Sequence, residues 1–216
     1  MGARDIHVMV GIPSGDTWKA QTAKCVALMF SFFALHPVKG ARTQKMSLLS
    51  LQSSMLSFSR ETIVKKALQS DATHLLFIDS DMVFPMETAN RLLSHQAPFV
   101  AANCTTRKFP TEAVAHTMEG ERLVSLGKSG LEVVQHTGLA MALIECSVLK
   151  KLTQPLFLMD WVPALKAYCG EDVYFCQKLA EQGIRLYIDQ DLSVKVKHVG
   201  SYLYGHEDIK DGENPE

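Results

Sequence analysis

The 216-residue sequence predicts an α/β domain: a mostly parallel central sheet flanked by helices, with a small antiparallel part in the C-terminal half. Three observations carry that expectation. Short, continuously apolar runs alternate with amphipathic segments as far as Ala102, the pattern of buried parallel strands joined by helices. The alternation stops after Asn103, where Gly127-Lys128-Ser129-Gly130 separates two apolar segments in the manner of a hairpin. The length suits one core, able to bury about 70% of the unfolded surface.

The elements follow in order. Ile6–Ile12 (IHVMVGI) is a buried strand that runs into the turn Pro13-Ser14-Gly15-Asp16. Asp16 is placed to N-cap a helix reaching Leu35. Lys45–Leu51 is the second strand. Ser59–Gln69 is a helix whose stripe is Ile63, Val64, Ala67 and Leu68. His74–Ile78 (HLLFI) is the third strand, ending at Asp79-Ser80-Asp81. Pro85 opens a helix to His95, and Pro98–Ala102 is the fourth strand.

Beyond Asn103, Leu123–Leu126 and Leu131–His136 form the expected hairpin, and Leu139–Ile144 is a strand leading to a short helix near Leu152. Gln154–Tyr168 reads as an ordered loop. Glu171–Glu181 is a helix stopped by Gly183. Ile184–Ile188 and Ser193–Val199 are closing strands, and the acidic stretch 207–216 is a frayed tail. The boundaries imply one domain, 1–206, in two halves (about 1–103 and about 104–206).

Composition narrows the function. The formal net charge of −1 gives no broad basic face for nucleic acid. Five scattered cysteines without a CxxC pair indicate neither a disulfide framework nor a zinc knuckle, and fit a reducing cytosol. The N-terminus lacks a signal peptide's apolar core, and Gly2 lacks the downstream hydroxyl residue of a myristoylation motif. Cys25–Leu35 is too short to span a bilayer, which takes roughly 20 residues. A cytoplasmic location is expected.

Two constellations carry chemistry. Asp79 and Asp81, two residues apart in extended backbone, point the same way from the C-terminal end of a buried strand, where open α/β sheets bind ligands. Carboxylates so placed repel unless a cation lies between them, and a hard divalent ion shared with phosphate oxygens resolves the conflict. The second constellation is Gly170-Glu171-Asp172 at a helix start, with His198 near the chain's end. Either acid caps free N–H groups or, facing a cleft, orients an acceptor hydroxyl. His198 lies on the same face of its strand as Val194 and Val196, and its imidazole suits Mn²⁺.

Taken in order, FIDSDM, GEDVYFCQKLAEQG and KVKHVG resemble GT-A glycosyltransferases, especially small bacterial and phage members akin to the large inverting family-2 group. The likeness runs from Ile6 to about Gly200. It implies that Ile12, Pro13 and Ser14 form the turn at the nucleoside, that Arg60 lies near the base or diphosphate, and that Asp79 and Ser80 meet the donor. It implies Asp79, Asp81 and His198 as metal ligands for Mn²⁺ or Mg²⁺, with Asp172 or Glu171 as the acceptor-facing base. Arg107 and Lys108 are then placed to touch donor phosphates or the acceptor, and His136-Thr137-Gly138 to line the acceptor side. The first turn reads GIPSGD instead of the commoner Pro-Thr-Tyr-Asn, and no QxxRW follows the Glu-Asp pair, which argues against processive polymer synthesis.

The implied reaction moves a sugar, most simply from a UDP-sugar, to an acceptor hydroxyl on a glycan, a protein or a hydroxymethylated DNA base. Asp79-Ser80-Asp81-Met82-Val83 also fits the DxDx(T/V) motif of haloacid-dehalogenase-like phosphatases, with Asp79 as nucleophile. Against this, that motif normally ends the first strand. A non-catalytic sugar-nucleotide-binding module is a further alternative.

Overall fold

The computed structural model describes residues 4–163 and 166–209. The chain begins with β1 (Arg4–Ser14), α1 (Ala20–Leu35), β2 (Ala41–Gln52), α2 (Leu56–Gln69) and β3 (His74–Ile78). Then come β4 (Met82–Val83), α3 (Thr88–Ser94), β5 (Phe99–Ala101), β6 (Leu131–Val134), β7 (Met141–Glu145) and α4 (Cys146–Leu149). The last part holds β8 (Asp160–Val162), β9 (Ala167–Cys169), α5 (Glu171–Glu181), β10 (Leu186–Asp189), α6 (Gln190–Ser193), β11 (Lys197–Val199) and β12 (Leu203–Tyr204).

Seven strands form the central sheet in the order β2-β1-β3-β7-β5-β10-β6. β1 runs parallel to β2 and β3, and β10 parallel to β5, whereas β7 runs antiparallel to both β3 and β5, and β6 antiparallel to β10. The domain is thus α/β with a mostly parallel sheet, as the alternating apolar runs predict.

Strand alternation divides the core into two layers. Leu76 and Ile78 of β3 pack with Val8, Val10, and the α1 and α3 residues Val26, Met29, Phe33, Leu92 and Leu93. Leu75 and Phe77 face the other way, onto Ile63, Val64 and Ala67 of α2 and Phe175, Cys176 and Leu179 of α5. At Gly11 the α2 layer comes close: an added Cβ would stand 2.5 Å from Ile63 Cγ2. The five cysteines are unpaired, and burial pushes the Cys176 thiol up to about 12.

Several sequence expectations need correction. α1 starts at Ala20 with Lys19 as N-cap and no side-chain cap; Asp16 instead accepts a hydrogen bond from Gln52 Nε2. The α3 helix starts at Thr88, three residues past Pro85, whose carbonyl accepts the Thr88 N–H. The hairpin between Leu123–Leu126 and Leu131–His136 does not form. β6 pairs with β10, and the Leu123 amide reaches back to Ala115, because Leu123 is buried in the α2-side core. Gln154–Tyr168 is not wholly a loop: β8 and β9 pair there as an antiparallel ribbon.

Ser193–Val199 is not a continuous strand either. α6 occupies its start, capped by the Asp189 carboxylate on the Leu192 amide, and Val194 is helical. The shared strand face of Val194, Val196 and His198 is therefore absent. Of the tail, 207–209 is anchored by the Lys197–Glu207 ion pair and by Asp208 accepting the Gly205 amide, while 210–216 lies outside the described residues.

Among the described residues, no helix is long and apolar enough to cross a membrane.

Candidate functional site

The site lies at the C-terminal ends of β1, β2 and β3, where the parallel strands hand over to their helices. A cleft of about 320 Å³ opens there, walled by Pro13, Ser14 and Gly15 after β1, and by Ser53, Ser54, Leu56 and Ser59 around the start of α2. Its remaining wall is Asp79, Ser80, Asp81 and Arg107. Ser59 is buried and its Oγ has no hydrogen-bond partner among the described residues, so an unsatisfied donor–acceptor stands on the same cleft wall as the acids.

The backbone of the acidic turn is clamped from three directions. The Asp79 amide donates to the Ala140 carbonyl, the Ser80 carbonyl accepts from the Lys19 amide, and the Asp81 carbonyl accepts from the Val199 amide. The last of these belongs to a small sheet in which β11 lies between β4 and β12, with His198 opposite Met82. A histidine late in the chain is therefore fixed beside the residue following Asp81.

His198 Nε2 stands 3.1 Å from Asp81 Oδ1, and Nδ1 stands 2.8 Å from the Thr105 carbonyl. That carbonyl can only accept, so Nδ1 carries a proton and Nε2 is the nitrogen presented to Asp81. Burial disfavours the imidazolium, yet the Asp81 and Thr105 oxygens outweigh it and raise the His198 pKa above its ordinary value. Burial likewise pushes the Asp81 carboxyl up, but the His198 and Arg107 charges hold it below the usual range. The Arg107 guanidinium hydrogen-bonds the second Asp81 oxygen, Oδ2.

Asp79 belongs to a different set. Its Oδ1 accepts from Arg60 Nη2 at 3.1 Å, while Arg60 Nη1 donates to Glu171 Oε1. Arg60 is 3% exposed, so it lies behind the cleft instead of lining it. Burial raises the Glu171 carboxyl pKa, against the pull of Arg60. Asp172, next along α5, accepts its neighbour Val173's amide on Oδ1, and Oδ2 faces Gly138, where an added Cβ would lie 3.6 Å away.

The structure thus brings Pro13, Ser14, Asp79, Ser80, Asp81 and Arg107 around one cleft, with His198 on Asp81. Ile12 is wholly buried and is not part of the cleft wall, so the nucleoside turn implied by resemblance begins one residue later. Arg60 is not a cleft residue. Asp79 and Asp81 do not converge with His198: one acid turns to Arg60, the other to the imidazole. Among the described residues, no group of three or more His, Cys, Asp and Glu side chains is arranged to hold a metal ion. Asp81 lines the cleft, and His198, bonded to it, sets a nitrogen donor beside its oxygen.

Sequence reasoning missed Ser53, Ser54 and Ser59. The serine-rich stretch Ser50–Ser59 after an apolar strand was a legible signal, since hydroxyls and free amides at such a strand end suit an anionic ligand. It also missed buried Asn103, whose side chain donates to the Leu123 carbonyl and accepts the Ala115 amide, tying the Thr105–Arg107 loop to the domain.

No protein-family model matches the chain, and no curated protein matches it. In shape the chain is similar to the crystal structure of A197 from STIV, at a TM-score of 0.58 and 19% identity over 90% of this chain and 85% of that one. Similarity at that identity establishes a shared fold and nothing further.

Proposed function

We propose that the protein is a metal-dependent glycosyltransferase of the GT-A type, moving a sugar from a nucleoside diphosphate donor to an acceptor hydroxyl. The observation that carries this reading is Asp81 on the wall of the strand-end cleft with the His198 imidazole bonded to it. His198 has the feature expected of a metal-ligating histidine, its other ring nitrogen held by a backbone carbonyl. Asp81 and His198 would hold Mn²⁺ or Mg²⁺, and diphosphate oxygens would complete the coordination. When bound, that cation neutralises charge developing on the departing diphosphate.

The chain's own groups supply the rest. Ser14, Ser53 and Ser59 offer hydroxyls to the nucleotide, and Arg107 lies where it can pass from Asp81 to a phosphate once a cation takes its place. Asp172, unpaired with any cation among the described residues, orients the acceptor hydroxyl by accepting its proton's hydrogen bond.

Calorimetry with UDP, GDP and CDP, each with and without Mn²⁺, tests the reading. One nucleotide is expected to bind in a Mn²⁺-dependent way. Failure of all three to do so would sink it.

A further inference from the structure

We infer that Arg60 is a positioning residue that locks the donor side of the cleft to the helix carrying Asp172, and is not itself a donor contact. The inference rests on the transferase reading above. Its basis is the division of one buried guanidinium between two acids from different elements: Nη2 to Asp79 at the end of β3, and Nη1 to Glu171, the first residue of α5. Arg60 itself sits on α2, so three elements meet at a single planar group.

The physical need for the lock is clear from what surrounds it. Asp79, Glu171 and Asp172 bring three carboxylates toward one region, and burial and the neighbouring acids all work against the Glu171 charge. With no cation between them, Asp79 and Glu171 would repel, and the start of α5 would move outward. Its N-cap, Gly170, has no side chain to bond the free amides, and Asp172 Oδ1 takes only that of Val173. Each terminal nitrogen already serves one acid, and the group is buried behind the cleft wall, so the guanidinium is not presented to a phosphate in the cleft.

A consequence divides the Glu-Asp pair. Glu171 is the anchor, its carboxylate consumed by Arg60. Asp172 is carried past it on the next residue of the helix, with Oδ2 directed at Gly138 and the His136–Gly138 segment. A lysine cannot replace Arg60, because a single ammonium does not span two acids as a planar fork does.

The test separates position from contact. Full-length Arg60→Lys, Arg60→Met, Glu171→Gln and the Arg60→Met/Glu171→Gln double variant are compared with wild type by calorimetry, using UDP, GDP and CDP with Mn²⁺ as probes. Hydrolysis of the matching nucleoside diphosphoglucose is measured alongside. For Arg60→Lys, the nucleotide Kd is expected to stay within about threefold while hydrolytic kcat falls about 10- to 100-fold, the scale of a misplaced catalytic group. Glu171→Gln should add no further loss on an Arg60→Met background, since the two act as one unit.

A Kd that rises in step with the loss of kcat would overturn the proposal and make Arg60 a donor contact. Additive losses in the double variant would overturn it as well. A melting-temperature cycle on the unliganded variants reports coupling between Arg60 and Glu171 even if Arg60→Met is destabilised, and zero coupling counts against the lock. Absence of nucleotide binding by the wild type, with coupling intact, removes the transferase reading instead.

Discussion

His198 meets Asp81 across 3.1 Å although 117 residues separate them in the chain, and the Thr105 carbonyl fixes which ring nitrogen is offered. The imidazole cannot be rotated away without giving up that second bond. Its position is set by β11 pairing with β4, the strand that begins one residue after Asp81.

Removing either donor should abolish metal-dependent nucleotide binding. Outer-shell partners of metal ligands alone are worth about 10- to 100-fold in affinity, so Asp81→Ala and His198→Ala should each lose at least that much. Calorimetry with Mn²⁺ and the best nucleotide measures it, with circular dichroism to show the variants folded. Wild-type affinity in either variant removes that residue from the site.

The pair also fixes a pH dependence. The Asp81 carboxyl lies below its ordinary pKa, so the stability it contributes is present above the usual carboxylate range and is lost as pH falls through the lowered value. The His198 pKa lies above the ordinary imidazole value, so its contribution is present below that value and is lost as pH rises through the raised one. Mn²⁺-dependent binding should run oppositely on the alkaline side. It should strengthen only as the ring gives up the Nε2 proton, later than for an ordinary histidine. Calorimetric titrations from pH 5.5 to about 8.5 follow that change through the usual imidazole range, and a flat profile contradicts it.

Asp189 is the structural counterpart of these functional acids. It is wholly buried, accepts from Arg91 and His95, and caps α6 through the Leu192 amide. Asp189→Ala should cost about 3 kcal/mol or more for the broken pair, of which roughly 1 kcal/mol is the lost cap. Burial opposes its ionisation, but Arg91 and His95 lower its pKa, so this stability should disappear as pH falls through the depressed value. Urea unfolding at neutral and acid pH reads both effects.

Gly11→Ala tests the packing that holds α2, and with it Arg60, against the sheet. The added methyl meets Ile63 Cγ2 at 2.5 Å and Leu75 Cδ1 at 3.2 Å, which should destabilise by about 1–3 kcal/mol. Ile63→Leu removes the Cγ2 branch at nearly constant volume and should recover part of the loss. An unchanged midpoint in urea for Gly11→Ala would show the layer to be looser than drawn.

The phosphatase alternative requires Asp79 to be a free nucleophile. Here Asp79 follows β3 instead of the first strand and its Oδ1 is held by Arg60, so p-nitrophenyl phosphate with Mg²⁺ should not be turned over. Rapid hydrolysis abolished by Asp79→Asn would reverse that expectation.

Much of the frame was legible because local patterns encode it. The apolar runs at Ile6, His74 and Phe99 could only be buried strands, and the acids after Ile78 could only sit at a strand end. The Glu171 helix was marked by its acidic first turn and Gly183 stop. What misled were segments whose local signal is weak. Leu123–Leu126 looks like half a hairpin, yet Leu123 is drawn into the core and its amide pairs with Ala115. Val194 reads as strand by alternation, but the Asp189 cap folds it into the end of a helix.

Local pattern alone marks the main apolar strands as buried, places the ends of the parallel strands, and sets two acids at one such end. Periodicity and side-chain chemistry are local properties, and they suffice for that. It takes the assembled fold to show that β7 enters antiparallel between β3 and β5, that Asp81 turns to His198, and that Asp79 turns to Arg60 and so to Glu171. Strand order and ion pairing depend on which distant groups burial brings within a few ångströms. An arginine far from both acids in sequence carries no mark of which carboxylate will neutralise it.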